Sequence, residues 1–191
     1  MNITITKDQN PKYPRTFWVD AINEPSIIYR SNFEGKEVTD PNNAKRIWNG
    51  EGKRNFCFVI PEEYVEDLTA RHWPIKKSNR QNEETPVYYV AAKVSFRTNE
   101  KTGTVQPEIH KFYGLQDRNP IDITELNAAD LDKQTIVGAR FAINESKDTY
   151  VNSAGVESVT LYMNYGEFYV MESNKFKARW YQDNEPEEEY E

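Results

Sequence analysis

The chain has 191 residues, 37% of them hydrophobic, a formal net charge of -7, and a single cysteine. No stretch approaches the ~20 apolar residues of a membrane-spanning helix, and the opening Met1-Asn2-Ile3-Thr4 carries no apolar signal segment. Cys57 cannot form an internal disulfide, and with only His72 and His110 beside it a Cys/His zinc site is excluded, so neither metal nor cofactor is expected.

Val, Ile, Thr, Tyr, Phe and Trp make up 64 residues, against 19 for Leu, Ala and Met. β-branched and aromatic side chains fit a pleated surface and lose rotamer freedom in helices, so the chain reads as mainly β. In chain order, 16–22 reads as a first strand and 26–30 as a second, after the break at Asn23-Glu24-Pro25. Gly35, Pro41, Gly50 and Gly52 among polar residues make 34–53 a long loop. Residues 55–60 form a strand, and Pro61 opens a short helix to Arg71 with acids in its first turn, where they suit the helix dipole.

Trp73 to Lys77 is extended, because Pro74 biases the residue before it away from helix. Residues 78–86 read as a polar, mobile segment. The clearest strand is 87–97, where period two places Tyr88, Val90, Ala92, Val94 and Phe96 on one face and Tyr89, Ala91, Lys93, Ser95 and Arg97 on the other. A turn near Gly103 leads to a strand over 108–113, and a short helix is expected near 125–131. Residues 135–143 alternate, with Val137, Ala139, Phe141 and Ile143 inward and Arg140 outward. A turn at Ser153-Ala154-Gly155 precedes strands over 159–164 and 168–171. About seven short strands with one or two small helices predict one β-barrel-like domain over 1–182.

Charge is unevenly placed. Residues 183–191 hold six acids (Asp183, Glu185, Glu187, Glu188, Glu189, Glu191) and no base, and without them the balance is 24 − 25 = -1. Residues 45–101 hold eleven bases and eight acids. The body is nearly neutral with a basic centre, and the tail is expected to be disordered. It either solubilises the chain or acts as a mobile anion that docks on partner proteins and competes for the basic centre.

Catalytic signatures are weak. No phosphate-binding Gly-rich loop and no H-E-x-x-H occur. Asp20 with Glu34-Gly35-Lys36 loosely fits the acid and Glu-x-Lys pattern of metal-dependent nucleases. Chance alone supplies roughly one to two Glu-x-Lys triplets in this composition. A β-rich structural or interaction protein is the other alternative. The remaining pattern is cations interleaved with aromatics on strands, which is what a sequence-tolerant binder of single-stranded nucleic acid needs: rings for unstacked bases and Lys/Arg for phosphates. Tyr89, Lys93 and Arg97 share a strand face, Lys111 and Tyr113 repeat the pairing, and Lys53, Arg54, Trp73, Lys76 and Lys77 lie near strand ends. Tyr89, Tyr113 and Trp73 are the stacking candidates.

Asn32-Phe33-Glu34-Gly35, Gly52-Lys53-Arg54-Asn55-Phe56, the helix running into His72-Trp73-Pro74-Ile75-Lys76, and Pro86-Val87-Tyr88-Tyr89-Val90 ending in Lys93-Val94-Ser95-Phe96 resemble, in that order, the single-stranded DNA-binding proteins of tailed bacteriophages. The resemblance covers 26–97 and fades after about 115. His72 stands where that family usually has Gly, Pro74 where it has Asn, and the 36–51 loop is long. The resemblance implies a non-catalytic OB-fold that coats single-stranded DNA during replication and recombination in the cytoplasm of an infected bacterium. It also implies an acidic tail that contacts polymerase or helicase. A homodimer is compatible with these features.

Overall fold

Fifteen strands and one helix are laid out along the residues that the computed structural model describes, which are 1–78, 85–98, 100, 101, 103, 105–107, 111–121, 132 and 136–173. Most of the expected 78–86 segment, the expected helix near 125–131 and the acidic tail lie outside them. The strands are β1 (Thr4–Lys7), β2 (Thr16–Ala21), β3 (Ile28–Asn32), β4 (Val38–Asp40), β5 (Asn43–Asn49) and β6 (Asn55–Ile60). After helix α1 (Glu62–Ala70) come β7 (Lys76–Lys77), β8 (Tyr88–Val94), β9 (Phe96–Thr98), β10 (Val105–Pro107) and β11 (Lys111–Gly114). The chain then runs through β12 (Gly138–Glu145), β13 (Tyr150–Val151), β14 (Glu157–Ser158) and β15 (Leu161–Val170). The mainly β composition is thus realised.

One large sheet runs β1-β2-β12-β15-β8-β6-β3, with β11 added to β15 and β7 to β8. It is mixed: β15 lies parallel to β8 and to β11, and the other pairs are antiparallel. The two ends of this path do not pair among the described residues, so the sheet is not a closed barrel. It is nevertheless strongly curled. Phe141 on β12 and Phe58 on β6 stand three strands apart, roughly 14 Å in a flat sheet, yet their ring centroids are 5.0 Å apart. Phe56 meets Phe141 at 5.3 Å, and Phe33 meets Phe168 at 6.3 Å.

The interior is a cluster of fully buried rings, Phe33, Phe56, Phe58, Phe112, Phe141 and Phe168, wrapped by the inward face of the sheet. Alternation explains which residues enter it. On β8, Val90, Ala92 and Val94 are buried while Ala91 and Lys93 are exposed. On β12, Ala139, Phe141 and Ile143 are sealed and Arg140 turns outward.

Helix α1 starts one residue later than expected, with Pro61 as its N-cap, and seats Leu68 in the core. Its end delivers Trp73 between strands β2 and β6, with centroids 5.3 Å from Phe17 and 6.4 Å from Phe58. The indole N–H donates to Glu145 at 2.8 Å, and the same carboxylate takes the Arg71 guanidinium. Trp73 is 2% exposed. Its expected role as a stacking platform is therefore corrected: the chain leaves the helix so that the large ring packs into the core between Phe17 and Phe58.

The expected long loop over 34–53 is also corrected. It contains an antiparallel hairpin, β4 and β5, interrupted by register shifts and exposed over most of its length. A hairpin with no buried face has no hydrophobic alternation to betray it. The two strands expected over 159–164 and 168–171 are one, β15, bent by a bulge opposite Ala142/Ile143. Among the described residues, no helix is long and apolar enough to cross a membrane.

Candidate nucleic-acid interface

The outward face of β3, β6 and β8 forms the floor of an open cleft of about 1050 Å³. Register sets the floor row by row. Arg30 on β3 lies opposite Cys57 on β6, which lies opposite Ala91 on β8. The next row is Asn32, Asn55 and Lys93, and Lys93 in turn faces Tyr162 on β15. Small residues in the middle and cations at the sides leave a shallow trough. Lys76 lines it from β7, and Lys53 and Arg54 line an adjoining pocket of about 330 Å³ that shares Asn55 and Lys93 with it.

Arg30, Lys36, Arg46, Lys76 and Lys93 outnumber the two carboxylates that line the same cleft, Glu34 and Asp132, so the balance favours an anion. Among the described residues, Arg30, Lys53, Arg54, Lys76 and Lys93 have no carboxylate within ion-pair distance, whereas Lys36 is held by Glu34 at 3.2 Å and Arg46 by Asp40 at 4.0 Å. Arg54 lies over the Phe96 ring at 5.0 Å, and its Nε is buried without a hydrogen-bond partner. Lys93 sits over the Tyr162 ring at 5.8 Å.

The family-like sequence blocks turn out to build the edge of this cleft. The Asn32 side chain accepts from the backbone N–H groups of Gly35 and Lys36, both at 3.0 Å. Phe33 between them plugs the core at 0% exposure. Gly35 adopts φ 75°, and a Cβ there would meet the Gly52 backbone at 3.2 Å. A side chain there would crowd this contact and strain the left-handed backbone, both of which glycine avoids. The contact places Lys53 and Arg54 beside the floor.

Tyr89 faces outward as alternation requires, opposite Val59 and Lys76. Its ring is stacked on Tyr29 with centroids 4.3 Å apart, and the Arg30 guanidinium lies 5.3 Å from its centre. Lys77 follows Lys76 on a strand and so turns to the other face, over Tyr88 at 5.9 Å; it does not line the trough. Arg97 pairs with Gln106 in a separate two-stranded ribbon, and its side chain lies outside the described residues.

Lys111 and Tyr113 do not join the cleft, which corrects their expected place beside the Tyr89 face. β11 pairs with the far half of β15, Lys111 opposite Glu167, roughly 17 Å along the strand from Tyr162. There the Lys111 ammonium is 3.7 Å from the Glu167 carboxylate, and Tyr113 lies against Tyr169 at 5.9 Å. Glu167 also takes hydroxyl hydrogen bonds from Tyr165 and Tyr169 and lies 3.9 Å from Arg140. Burial pushes the Tyr165 phenol up to about 12, reinforced by its donation to Glu167, and Tyr169 moves the same way for the same reasons. Burial opposes ionisation of Glu167, but the two phenols, with Lys111 and Arg140, outweigh it and hold the carboxyl below its ordinary range. This ladder neutralises its own charge, so it offers a polyanion little.

Asp20 on β2 and Glu34 in the bend after β3, the loose nuclease pair, are engaged separately, Asp20 with Arg140 at 3.8 Å and Glu34 with Lys36. Among the described residues, no group of three or more His, Cys, Asp or Glu is placed to hold a metal ion.

Sequence reasoning missed Arg30, Arg46 and Trp48, all of which line the cleft. Arg30 closes a short strand whose pairing with β6 cannot be read from the strand itself. Trp48 sat inside the presumed loop, although Lys45-Arg46-Ile47-Trp48 repeats the interleaving of cations and apolar groups sought elsewhere.

No curated protein matches the chain. Among solved structures, it is similar to the single-stranded DNA-binding protein from bacteriophage Enc34 in complex with ssDNA: 10% identity, 80% of this chain and 85% of that one covered, TM-score 0.40. It is also similar to gp2.5, a single-stranded DNA-binding protein encoded by bacteriophage T7: 11% identity, 99% and 98% covered, TM-score 0.33. Likenesses this distant carry no argument about the site. The family model described as "Putative phage ssDNA-binding domain" matches residues 13–189. With nearly the whole chain matched, the protein belongs to this phage single-stranded DNA-binding family.

Proposed function

We propose that the cleft over β3, β6 and β8 is the single-stranded DNA site, and that the protein coats exposed strands without strong base preference during phage replication and recombination. The supporting observation is the set of five cations without carboxylate partners among the described residues, Arg30, Lys53, Arg54, Lys76 and Lys93, gathered along one trough and its adjoining pocket. A flexible polyanion releases condensed counterions when such groups replace them, which gives affinity without sequence preference. Asn32 and Asn55 keep the floor between the cations uncharged, and the Tyr89 ring packs against the Arg30 guanidinium. The protein works as an OB-fold binder rather than as an enzyme, in the cytoplasm of the infected cell, and residues 183–191 dock on polymerase or helicase.

The test is a titration of labelled oligo-dT across a salt series, with the chain and with Lys93→Ala. Each phosphate contact contributes roughly 0.7 to the slope of log affinity against log salt for single strands. The chain is expected to bind, and Lys93→Ala to flatten that slope by about one such contact. Binding that ignores salt, or an unchanged slope in Lys93→Ala, overturns the assignment of this floor.

A further inference from the structure

Two hairpins rise from the rims of the cleft, and neither is needed by the core. The floor runs across the sheet from residues 159–161 at the foot of β15, over β8 and β6, to β3. The β4–β5 hairpin is inserted between β3 and β6, at one end of that row. The β13–β14 hairpin leads directly into 159–161, at the other end. Each presents an aromatic ring to the same cleft: Trp48, 57% exposed, and Tyr150, 46% exposed.

Resting on the reading of this cleft as a single-stranded DNA site, we infer that the two hairpins are jaws, and that Trp48 and Tyr150 stack on bases of a strand laid across the floor. Leaving an indole in water forfeits the burial that normally retains such a ring. Trp48 is held in place all the same. The Asn49 side-chain amide faces the carbonyls of Lys36, Gly50 and Lys53 at 2.9–3.1 Å, and its oxygen accepts from Asn55 at 2.8 Å. Asn32 donates to the same Lys36 carbonyl at 2.9 Å. Asn32 and Asn55 are floor residues, so the root of the hairpin is tied to the cleft while its length stands clear of the body. Period two puts Arg46 on the same side as Trp48, and both line the cleft. A cation and a ring two residues apart match the alternation of phosphate and base along a strand.

The occupancy of the floor also argues for stacking from the rims. Tyr89 is engaged with Tyr29 and Arg30, and Trp73 is in the core. Among the described aromatics, Trp48 and Tyr150 are exposed rings that line the cleft.

The experiment compares oligo-dT with a deoxyribose-phosphate strand of equal length that lacks bases, using the full chain, Trp48→Ala, Trp48→Phe and Tyr150→Ala. The full chain is expected to prefer oligo-dT and to show tryptophan quenching on binding. Trp48→Ala should weaken oligo-dT binding by about 10-fold or more, as expected for loss of one stacked base. It should leave binding of the base-free strand nearly unchanged, while Trp48→Phe recovers most of the loss and Tyr150→Ala follows Trp48→Ala more mildly. Because these side chains are exposed, circular dichroism of the variants should match the parent. If the full chain binds neither strand, the single-stranded DNA reading itself falls, and the jaws with it. If it binds oligo-dT but Trp48→Ala binds both strands as the parent does, the jaws alone are refuted.

Discussion

At the scale of single residues, the structure explains a departure that was visible in the sequence. His72 follows α1 at the position where the family resemblance implies Gly, and its backbone lies at φ 68°. There the chain reverses: the His72 N–H donates to the Thr69 carbonyl, and the His72 carbonyl accepts from Val159. An L-residue in this region costs roughly 1–2 kcal/mol, which glycine avoids at some cost in unfolded-state entropy. The imidazole is exposed and away from the cleft. His72→Gly is therefore expected to stabilise the fold by about 0.5–1 kcal/mol, measured by urea denaturation, with oligo-dT affinity unchanged. A loss of stability would mean that the imidazole makes a contribution larger than the strain.

At the scale of elements, legibility followed burial. Strand β8 was readable because one face is sealed and the other wet, so Val90, Ala92 and Val94 alternate with Ala91 and Lys93. Strands β6 and β12 are instead buried at most positions and were readable as short runs rich in β-branched and aromatic residues. The β4–β5 hairpin buries nothing deeply and has Gly and Pro on its flanks and tip, so it looked like a loop. The placement of Lys111 and Tyr113 depended on which half of β15 receives β11, and a parallel pairing between residues 56 positions apart in sequence leaves no local mark. Trp73 was misread for a related reason: its burial depends on Glu145, 72 positions away.

That contact also gives an element-level prediction. Glu145, 7% exposed, ties the end of α1 to the end of β12 through Trp73 and Arg71. Glu145→Ala leaves the buried indole N–H unsatisfied. The Arg71 side chain is 36% exposed, so water screens part of its share of the pair. The expected cost is about 2–3 kcal/mol, read as a lower urea midpoint with an unchanged slope. Folded Glu145→Ala should bind oligo-dT like the parent, because Trp73 supports the wall and does not touch the strand. A loss of affinity at full folding would return Trp73 to the interface.

At the scale of the whole molecule, the question is how a chain of net charge -7 holds a polyanion. The cations of the cleft act locally, since at physiological salt fields decay over about 8 Å. The six acids of 183–191 matter only if they come near. From Ser173, the last described residue, 18 residues remain, enough to span at most about 60 Å. A domain of this size has a radius of gyration near 15 Å, so the length of the segment is on the scale of the whole domain. A tethered anion at millimolar effective concentration is expected to compete with DNA for Lys93, Lys53 and their neighbours. Truncation after Gln182 is expected to tighten oligo-dT binding by about 10-fold at low salt. The gain should shrink as salt rises, because screening weakens the competitor and the ligand alike. Adding the excised nine-residue segment back as a free peptide should restore little of the inhibition, since it then lacks the tether. Unchanged or weaker binding after truncation would refute the competition.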